Sequence, residues 1–196
     1  MNIAITGKLG SGKSTIAKIM SETLGYEIYN TGKIQRRTAE EMGISTLELN
    51  KRMLTDASLD YIIDEAVAKL SAERDNIIFD SRMAWYFAKN SYRIFLTVDP
   101  DVAAQRVFAM NRGKSEKYSS VEEAKRQLIE RSEVERKRFR DIYGVDYFDL
   151  SNYDLVFDTT YMTSEESAAA IIAEFNKHLM SLSGGDDTLK SQSDKK

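Results

Sequence analysis

The sequence predicts an α/β domain in which an open parallel sheet of about five strands carries helices on both faces. Short apolar runs alternate along the chain with longer segments whose apolar residues recur at helical spacing. Several of these runs, such as Asn76-Ile-Ile-Phe-Asp80, are apolar at consecutive positions, as strands buried on two faces are. Strands that alternate with helices are joined by right-handed crossovers, which produce a parallel sheet.

Composition is compatible with one domain and excludes several functional classes. The 196 residues are 42% hydrophobic, which suffices for one core, and we predict a single domain over residues 1–180. The net charge of −3 provides no field that favours nucleic acid or an anionic membrane. The absence of cysteine excludes disulfides and a thiol nucleophile. With no basic leader and no apolar run of ~20 residues, we expect a cytoplasmic protein without nucleic-acid or membrane partners, monomeric rather than oligomeric.

Two strands and four helices are predicted for the first part of the chain. The strands are the apolar runs over residues 2–6 and 26–29. Gly25 ends the first helix, and Thr31 supplies a side chain that can cap the second. The helices, identified by the spacing of their apolar residues, cover residues 12–24, 31–42, 46–54 and 56–74.

Three strands and three helices are predicted for the remainder. Pro100 follows Asp99, a pair that supplies the first position and the cap of a helix. Residues 111–120 are polar and contain a glycine, which predicts a mobile lid loop. The tail over residues 181–196 is rich in Ser, Gly, Asp and Lys and is predicted to be disordered. The strands cover residues 76–80, 92–98 and 155–158, and the helices cover residues 100–110, 121–143 and 164–180.

The segment between the first strand and the first helix fits the phosphate-binding pattern G-x-x-x-x-G-K-[ST] of the P-loop NTPases. Glycines allow backbone N–H groups to turn toward phosphates, and the following helix adds the positive end of its dipole. We predict ATP as the ligand, with Lys13 on the β- and γ-phosphates and the Ser14 hydroxyl on Mg²⁺. A glycine-rich turn that binds nothing is the alternative. The predicted ATP-binding residues are Gly7, Lys8, Leu9, Gly10, Ser11, Gly12, Lys13, Ser14 and Thr15.

A second phosphate site is indicated at the end of the third strand, where Asp80 and Arg82 follow a buried run. Ligands of open parallel sheets bind beyond the carboxyl ends of the strands, so both residues are expected near the P-loop. A carboxylate there can hold Mg²⁺ through water, and a guanidinium can bind a phosphate in a bidentate manner. A salt bridge at the strand end is the alternative.

Three charged residues interrupt the apolar face of the helix over residues 121–143. Arg131, Glu135 and Arg138 lie at positions i, i+4 and i+7 and therefore share one face. A binding face accounts for the interruption, whereas a solvated helix with surface ion pairs is the alternative. Arg106 flanks the predicted lid and is expected to help cover ATP, which would exclude water from the transfer.

These segments resemble motifs of the cytidylate kinase family, in its compact branch without a large acceptor-domain insertion, and the likeness covers residues 1–173. Thr31-Gly-Lys-Ile-Gln-Arg36 is similar to the family's Ser/Thr-Gly-x-x-x-Arg segment, and Asp80-Ser-Arg82 is similar to its Asp-Gly-Arg. The helical segment over residues 130–138 resembles the family's Arg-Asp-x-x-Asp-x-x-Arg pattern, with Glu135 in place of the usual Asp. Met83 stands where larger members carry a base-reading Asp.

The resemblance implies transfer of a phosphoryl group from Mg·ATP to a nucleoside monophosphate, with CMP or dCMP preferred. It implies acceptor binding by Thr31, Arg36, Arg82, Arg131, Glu135 and Arg138. The residues expected to act in the transfer are Lys13, Asp80, Arg106, Arg131 and Arg138, with Ser14 and Asp80 on the metal. Two alternatives stay open: another small-molecule kinase of the same fold, with Asp80 as its candidate base, and a nucleotide-binding switch without transfer activity.

Overall fold

The computed structural model describes residues 1–110 and 116–184, and within these ranges it contains five strands and eight α-helices. The strands are β1 (Asn2–Gly7), β2 (Glu27–Asn30), β3 (Ile77–Asp80), β4 (Ser91–Thr97) and β5 (Leu155–Asp158). The helices are α1 (Lys13–Leu24), α2 (Thr31–Glu41), α3 (Thr46–Arg52), α4 (Ser58–Glu73), α5 (Ala84–Phe87), α6 (Pro100–Ala109), α7 (Val121–Tyr143) and α8 (Ser164–Gly184).

All five strands form one parallel sheet in the order β2-β3-β1-β4-β5. The central strand β1 pairs with β3 on one side, where Ile5 lies opposite Asp80, and with β4 on the other, where Gly7 lies opposite Leu96. The chain crosses from one side of β1 to the other between β3 and β4. The carboxyl end of β1 is therefore the point at which a ligand crevice is expected, and the P-loop begins there.

Helices cover both faces of the sheet, as the consecutive apolar residues predict. Ile3 and Ile5 of β1 are buried in a cluster with α1 and α8, which contribute Met20 and Phe175. The residue between them, Ala4, faces a second cluster with α4 and α5. Because β1 is packed from both sides, it forms a rigid base for the loop that follows it.

The residue that caps α2 differs from the prediction. Asn30, not Thr31, caps α2: its side chain accepts a hydrogen bond from Lys33 N at 2.9 Å. This leaves the Thr31 hydroxyl to donate to the Asp80 carbonyl oxygen at 3.3 Å, which ties α2 to the end of β3. Asp99 caps α6 as predicted.

The end of the chain and the predicted lid are described only in part. Helix α8 continues past residue 180, where its predicted end lies, to Gly184. Residues 185–196 of the predicted disordered tail and residues 111–115 of the predicted lid lie outside the described residues. Within residues 1–110 and 116–184, no helix combines the length and the apolar composition that a membrane span requires.

Candidate active site

The P-loop has the backbone geometry of an anion site. Gly7 has a φ of 142°, and a Cβ at this position would collide with the carbonyl oxygen of Leu96 on β4. Gly12 precedes α1 with a φ of 83°, in the left-handed region that glycine adopts without strain. Among the described residues no side chain caps α1, so its first N–H groups are available to phosphate oxygens.

The Lys13 ammonium group lies over this loop. Its Nζ atom donates hydrogen bonds to the carbonyl oxygens of Gly7 at 2.9 Å and Lys8 at 2.7 Å. The positive charge and the N–H groups of α1 therefore lie together at the carboxyl end of β1. Both favour a polyphosphate at this position.

Ser14, Asp80 and Asn30 bring three elements together beside the loop. Ser14 Oγ donates a hydrogen bond to Asp80 Oδ2 at 2.7 Å, so the first turn of α1 contacts the end of β3. Asn30, the last residue of β2, donates from Nδ2 to the same Asp80 oxygen at 2.6 Å and to Ser14 Oγ at 3.2 Å. The amide of Asn30 thus fixes the orientation of the carboxylate toward the hydroxyl.

The Ser14 hydroxyl and the Asp80 carboxylate match the one or two ligands that a protein contributes to a magnesium site. Mg²⁺ in kinases is bound by one or two protein oxygens and takes its other ligands from phosphates and water. The structure brings Ser14 and Asp80 together as the sequence predicts. Among the described residues no group of three or more His, Cys, Asp or Glu side chains could hold a metal without such help.

A chain of ion pairs runs from the P-loop into α7. Arg82 donates from Nη1 to the Gly7 carbonyl oxygen at 3.0 Å and from Nε to Glu135 Oε2 at 2.7 Å. The other carboxylate oxygen, Oε1, accepts from Arg131 Nε at 2.8 Å. Two guanidinium groups are therefore held side by side by one buried carboxylate, at the edge where the predicted phosphate site lies.

Electrostatics keep Glu135 ionised in spite of its burial. Removal from water opposes the charge, but the positive charges of Arg82, Arg131 and Arg138 outweigh this effect and lower the pKa of Glu135 to about 2. Glu135 in turn raises the pKa of Arg82 and offsets the effect of burial on that group. The cluster therefore keeps fixed charges across the physiological pH range.

Glu116 extends the cluster toward α2. It accepts a hydrogen bond from Arg131 Nη1 at 2.8 Å, and Arg36 Nη1 lies 4.0 Å from the same oxygen. The Glu116 side chain is only 1% exposed. The described part of the predicted lid, residues 116–120, thus contributes a carboxylate to the arginine cluster.

Arg138 takes a different position from Arg131 and Glu135, with which it shares a face of α7. Its Nε atom lies 3.0 Å from Asp60 Oδ2, and Nη1 donates to Asn50 Oδ1 at 2.7 Å. The guanidinium therefore pairs with α3 and α4, whereas Arg131 pairs with Glu116 and Glu135. The resemblance implies a phosphate ligand at Arg138, but the observed contact of this side chain is with a carboxylate.

Most of the predicted site residues line one cavity. It extends along the P-loop and is bordered by α2, α4 and α7 and by the segment after β3. Two aspartates of α4 that the sequence analysis did not identify, Asp60 and Asp64, also line it. The predicted residues that line it are Leu9, Gly10, Lys13, Ser14, Thr31, Arg36, Asp80, Arg82, Arg131 and Glu135.

Arg106 lies on the other face of the P-loop. It donates hydrogen bonds to the carbonyl oxygens of Thr159 at 2.7 Å and of Thr160 and Met162 at 3.3 Å, in the segment after β5. With Gly12 and Thr15 it lines a separate cavity. The structure therefore does not bring Arg106 together with Arg82 and Arg131.

Comparison with known proteins identifies the family. The model of the cytidylate kinase-like family matches residues 2–161. The cytidylate kinase of Thermoplasma volcanium is 35% identical over 176 residues, which cover 88% of this chain and 90% of the relative. The cytidylate kinase of Haloarcula marismortui is 37% identical over 161 residues, 81% of each chain.

A solved structure supports the fold. Shikimate kinase from Bacteroides thetaiotaomicron superposes with a TM-score of 0.61 over 92% of this chain and 98% of that enzyme, at 16% identity. At this identity the similarity concerns the fold alone, which is a P-loop kinase fold. Sequence and fold agree, and the chain belongs to the cytidylate kinase-like family.

Proposed function

We propose that this protein transfers the γ-phosphoryl group of ATP to the phosphate of a nucleoside monophosphate, with CMP and dCMP as preferred acceptors. The main support is the pair of guanidinium groups that Glu135 holds beside the P-loop. Arg82 contacts both the loop, at Gly7, and this carboxylate. A second phosphate bound there would lie next to the first, as transfer between two phosphates requires.

The donor is bound by the P-loop. Its N–H groups and Lys13 would face the β- and γ-phosphates, and Ser14 and Asp80, which are hydrogen-bonded to each other, would hold Mg²⁺. When bound, the ion neutralises negative charge on the phosphate oxygens. Arg106 lines the cavity on the opposite face of the loop, which favours a role toward the nucleoside part of the donor.

The acceptor is bound by Arg82, Arg131 and Arg36, with Thr31 nearby. An oxygen of the acceptor phosphate forms a bond to the γ-phosphorus, while the bond from that phosphorus to the β–γ bridging oxygen breaks and ADP leaves. The attacking oxygen is already an anion, so no strong general base is needed. Catalysis then consists of positioning and of charge stabilisation by Lys13 and the arginines.

Two other functions predict different chemistry. A kinase that acts on a neutral hydroxyl needs a carboxylate base, but Asp80 is engaged with Ser14 and Asn30. A nucleotide-binding switch needs no acceptor site, yet this cavity contains several buried ionic side chains beyond the P-loop. The names of the relatives also favour transfer to a nucleotide.

Replacement of Arg131 by Ala tests the function. Loss of a charge-assisted phosphate contact should lower kcat/KM for CMP by about 30- to 1000-fold, roughly 2 to 4 kcal/mol. The affinity for ATP should change little, because the P-loop binds the donor. Arg131→Lys should recover part of the rate, since an ammonium supplies charge without the planar fork.

Initial rates of ADP release against CMP, dCMP, UMP and AMP provide the measurement. Lys137→Ala is the matched control, because Lys137 lies exposed on the same helix. Equal kinetics in the wild type and in Arg131→Ala would contradict the acceptor site. ADP release that no monophosphate stimulates would contradict the proposed function as a whole.

A further inference from the structure

The α4 side of the main cavity contains two carboxyl groups to which the transfer mechanism assigns no role. Asp60 and Asp64 are one helical turn apart, and both line the cavity that contains Arg82 and Arg131. Asp60 is 2% exposed and Asp64 is 4% exposed. Buried carboxyl groups are costly unless they have partners, so these two require an explanation.

The protein supplies only part of the hydrogen bonds that these carboxyl groups can accept. Asp64 Oδ2 accepts a hydrogen bond from the Tyr143 hydroxyl at 2.7 Å. Asp60 Oδ2 is in ionic contact with Arg138 at 3.0 Å, but the geometry is not that of a hydrogen bond and the atom is buried. Within the described part of the chain, no group donates a hydrogen bond to Oδ1 of either residue. Each carboxyl group can therefore accept hydrogen bonds from a ligand in the cavity.

The charge of this region determines which part of an acceptor it can bind. A phosphate would be repelled by Asp60 and Asp64 and attracted by Arg36, Arg82 and Arg131. The phosphate therefore belongs with the arginines, and the uncharged part of the nucleotide faces α4. A carboxylate oxygen accepts hydrogen bonds, so the matching ligand group must be a donor.

We infer that Asp60 and Asp64 bind the exocyclic amino group of the acceptor's base and thereby select cytosine over uracil. The 4-amino group of cytosine carries two N–H donors, and uracil has a carbonyl oxygen at the same position. An oxygen there would face the carboxylate oxygens with no hydrogen between them. Sites built to bind a donor discriminate strongly against an analogue that lacks it, because buried polar groups are left unpaired.

The titration behaviour of the pair agrees with this role. Burial raises the pKa of Asp64 to about 7; the Tyr143 hydrogen bond opposes this shift, Asp60 adds to it, and Arg138 opposes it. Burial likewise raises the pKa of Asp60 to about 6. An amino group that donates to the carboxylate favours its ionised form and should lower the pKa of Asp64 when the ligand binds.

Asp64→Asn is the decisive variant. The new side chain can still accept from Tyr143, but it presents an N–H donor to the cavity, which suits the uracil oxygen and not the cytosine amino group. The ratio of kcat/KM for CMP to that for UMP should fall by at least about 10²-fold. The ratio for CMP to dCMP should be unchanged. Glu65→Gln, an exposed neighbour on α4, is the control and should alter neither ratio.

Because this role presupposes a nucleotide acceptor, it rests on the proposed function, and the two can fail separately. If the wild type phosphorylates CMP and Asp64→Asn keeps the CMP:UMP ratio, the base assignment is overturned and the function stands. A change in the CMP:dCMP ratio alone would assign Asp64 to the sugar and also overturn it. If the wild type phosphorylates no monophosphate, both proposals are overturned.

A second measurement uses only the wild type, so it does not require any variant to fold. Titration calorimetry at pH 7 in two buffers of different ionisation enthalpy counts the protons released when CMP or UMP binds in the presence of ADP. The phosphates of the two ligands are alike and their contributions cancel. CMP should release more protons than UMP, because only its amino group favours the ionised Asp64.

The other titratable or charged groups that act on Asp64 are Asp60 on the same helix, Arg138 and Tyr143 on α7, and Tyr29 on β2, while Glu135 on α7 acts on Asp60. Burial raises the pKa of Asp60 to about 6, so this group also titrates near pH 7, and it belongs to the proposed pair. Equal proton release for the two ligands would overturn the inference.

Discussion

Lys13 is the residue whose role depends least on the identity of the acceptor. In this structure its ammonium group contacts the carbonyl oxygens of Gly7 and Lys8, at the centre of the P-loop. Those contacts do not hold the core together, because the side chain lies at the loop and not among the buried apolar residues. Activity and stability should therefore respond differently to its removal.

Lys13→Ala should lower the transfer rate by roughly 10²-fold or more and leave the unfolding temperature nearly unchanged. The reason is that the ammonium compensates charge that develops on the transferring group. Rates of ADP release and thermal unfolding measure the two effects, with Lys18→Ala as control because Lys18 is exposed on the same helix. Near-normal turnover of Lys13→Ala would show that the donor site lies elsewhere.

Glu135 should affect stability in a pH-dependent way. Its pKa in the folded protein, about 2, is lower than its ordinary value of 4.5, so the unfolded chain binds more protons between these values. The stabilisation is complete above about pH 4.5 and is lost as the pH falls toward 2. Glu135→Gln should lower the free energy of unfolding at pH 7 by about 3 to 5 kcal/mol, because Arg82 and Arg131 lose their buried partner.

Denaturant unfolding of the wild type and Glu135→Gln between pH 7 and pH 2 tests this expectation. The difference between the two proteins should shrink as the pH falls through the window. Glu133→Gln, at an exposed position two residues away, should differ from the wild type by no more than about 0.5 kcal/mol. A difference of the same size at every pH would contradict the assigned role of Glu135.

At the scale of elements, the sequence predicted what local patterns encode. The P-loop, the cap of α6 and the charged face of α7 each depend on residues close together in the chain, so spacing alone identifies them. The parallel sheet also followed from local patterns, because strands buried on two faces are apolar at consecutive positions. The structure confirms this sheet.

Contacts between side chains of different helices and strands could not be predicted from local patterns. Asn30 acts on Asp80, 50 positions away, and a terminal strand residue carries no sign of such a partner. The spacing of Asp60 and Asp64 gives a weak indication of their burial, because they share one face of α4 with Ile63 and Val67. The pairing of Arg138 with Asp60 depends on how α7 packs beside α4, which helical periodicity does not contain.

At the scale of the whole molecule, the sheet and α7 bring together side chains that are far apart in the sequence. Arg82 follows β3, Arg131 lies on α7 and Arg36 lies on α2, yet all line one cavity. The phosphate-binding charges are thus placed by the packing of three separate parts of the chain. They converge at the carboxyl edge of the sheet, where the strand order predicts a ligand crevice.

Glu116 has a consequence for how the protein discriminates among the anions of its surroundings. Its carboxylate already contacts Arg131 and lies near Arg36, two of the residues that an acceptor phosphate would use. As part of the chain, it competes at a high effective concentration with any anion that arrives. Small anions such as inorganic phosphate have only their charge with which to displace it, whereas a nucleotide gains further contacts along the cavity.

Glu116→Gln should therefore make inorganic phosphate a better competitive inhibitor against CMP. We expect its inhibition constant to fall by about 10-fold, because the Glu116 carboxylate is removed and no longer repels the incoming anion or competes with it for the arginines. Inhibition kinetics measure this directly, with Glu122→Gln, at an exposed position in the first turn of α7, as control. An unchanged constant would mean that Glu116 does not compete for the arginines. A lower constant would identify the Glu116 carboxylate as an internal competitor for the arginines, which a nucleotide can displace and free phosphate cannot.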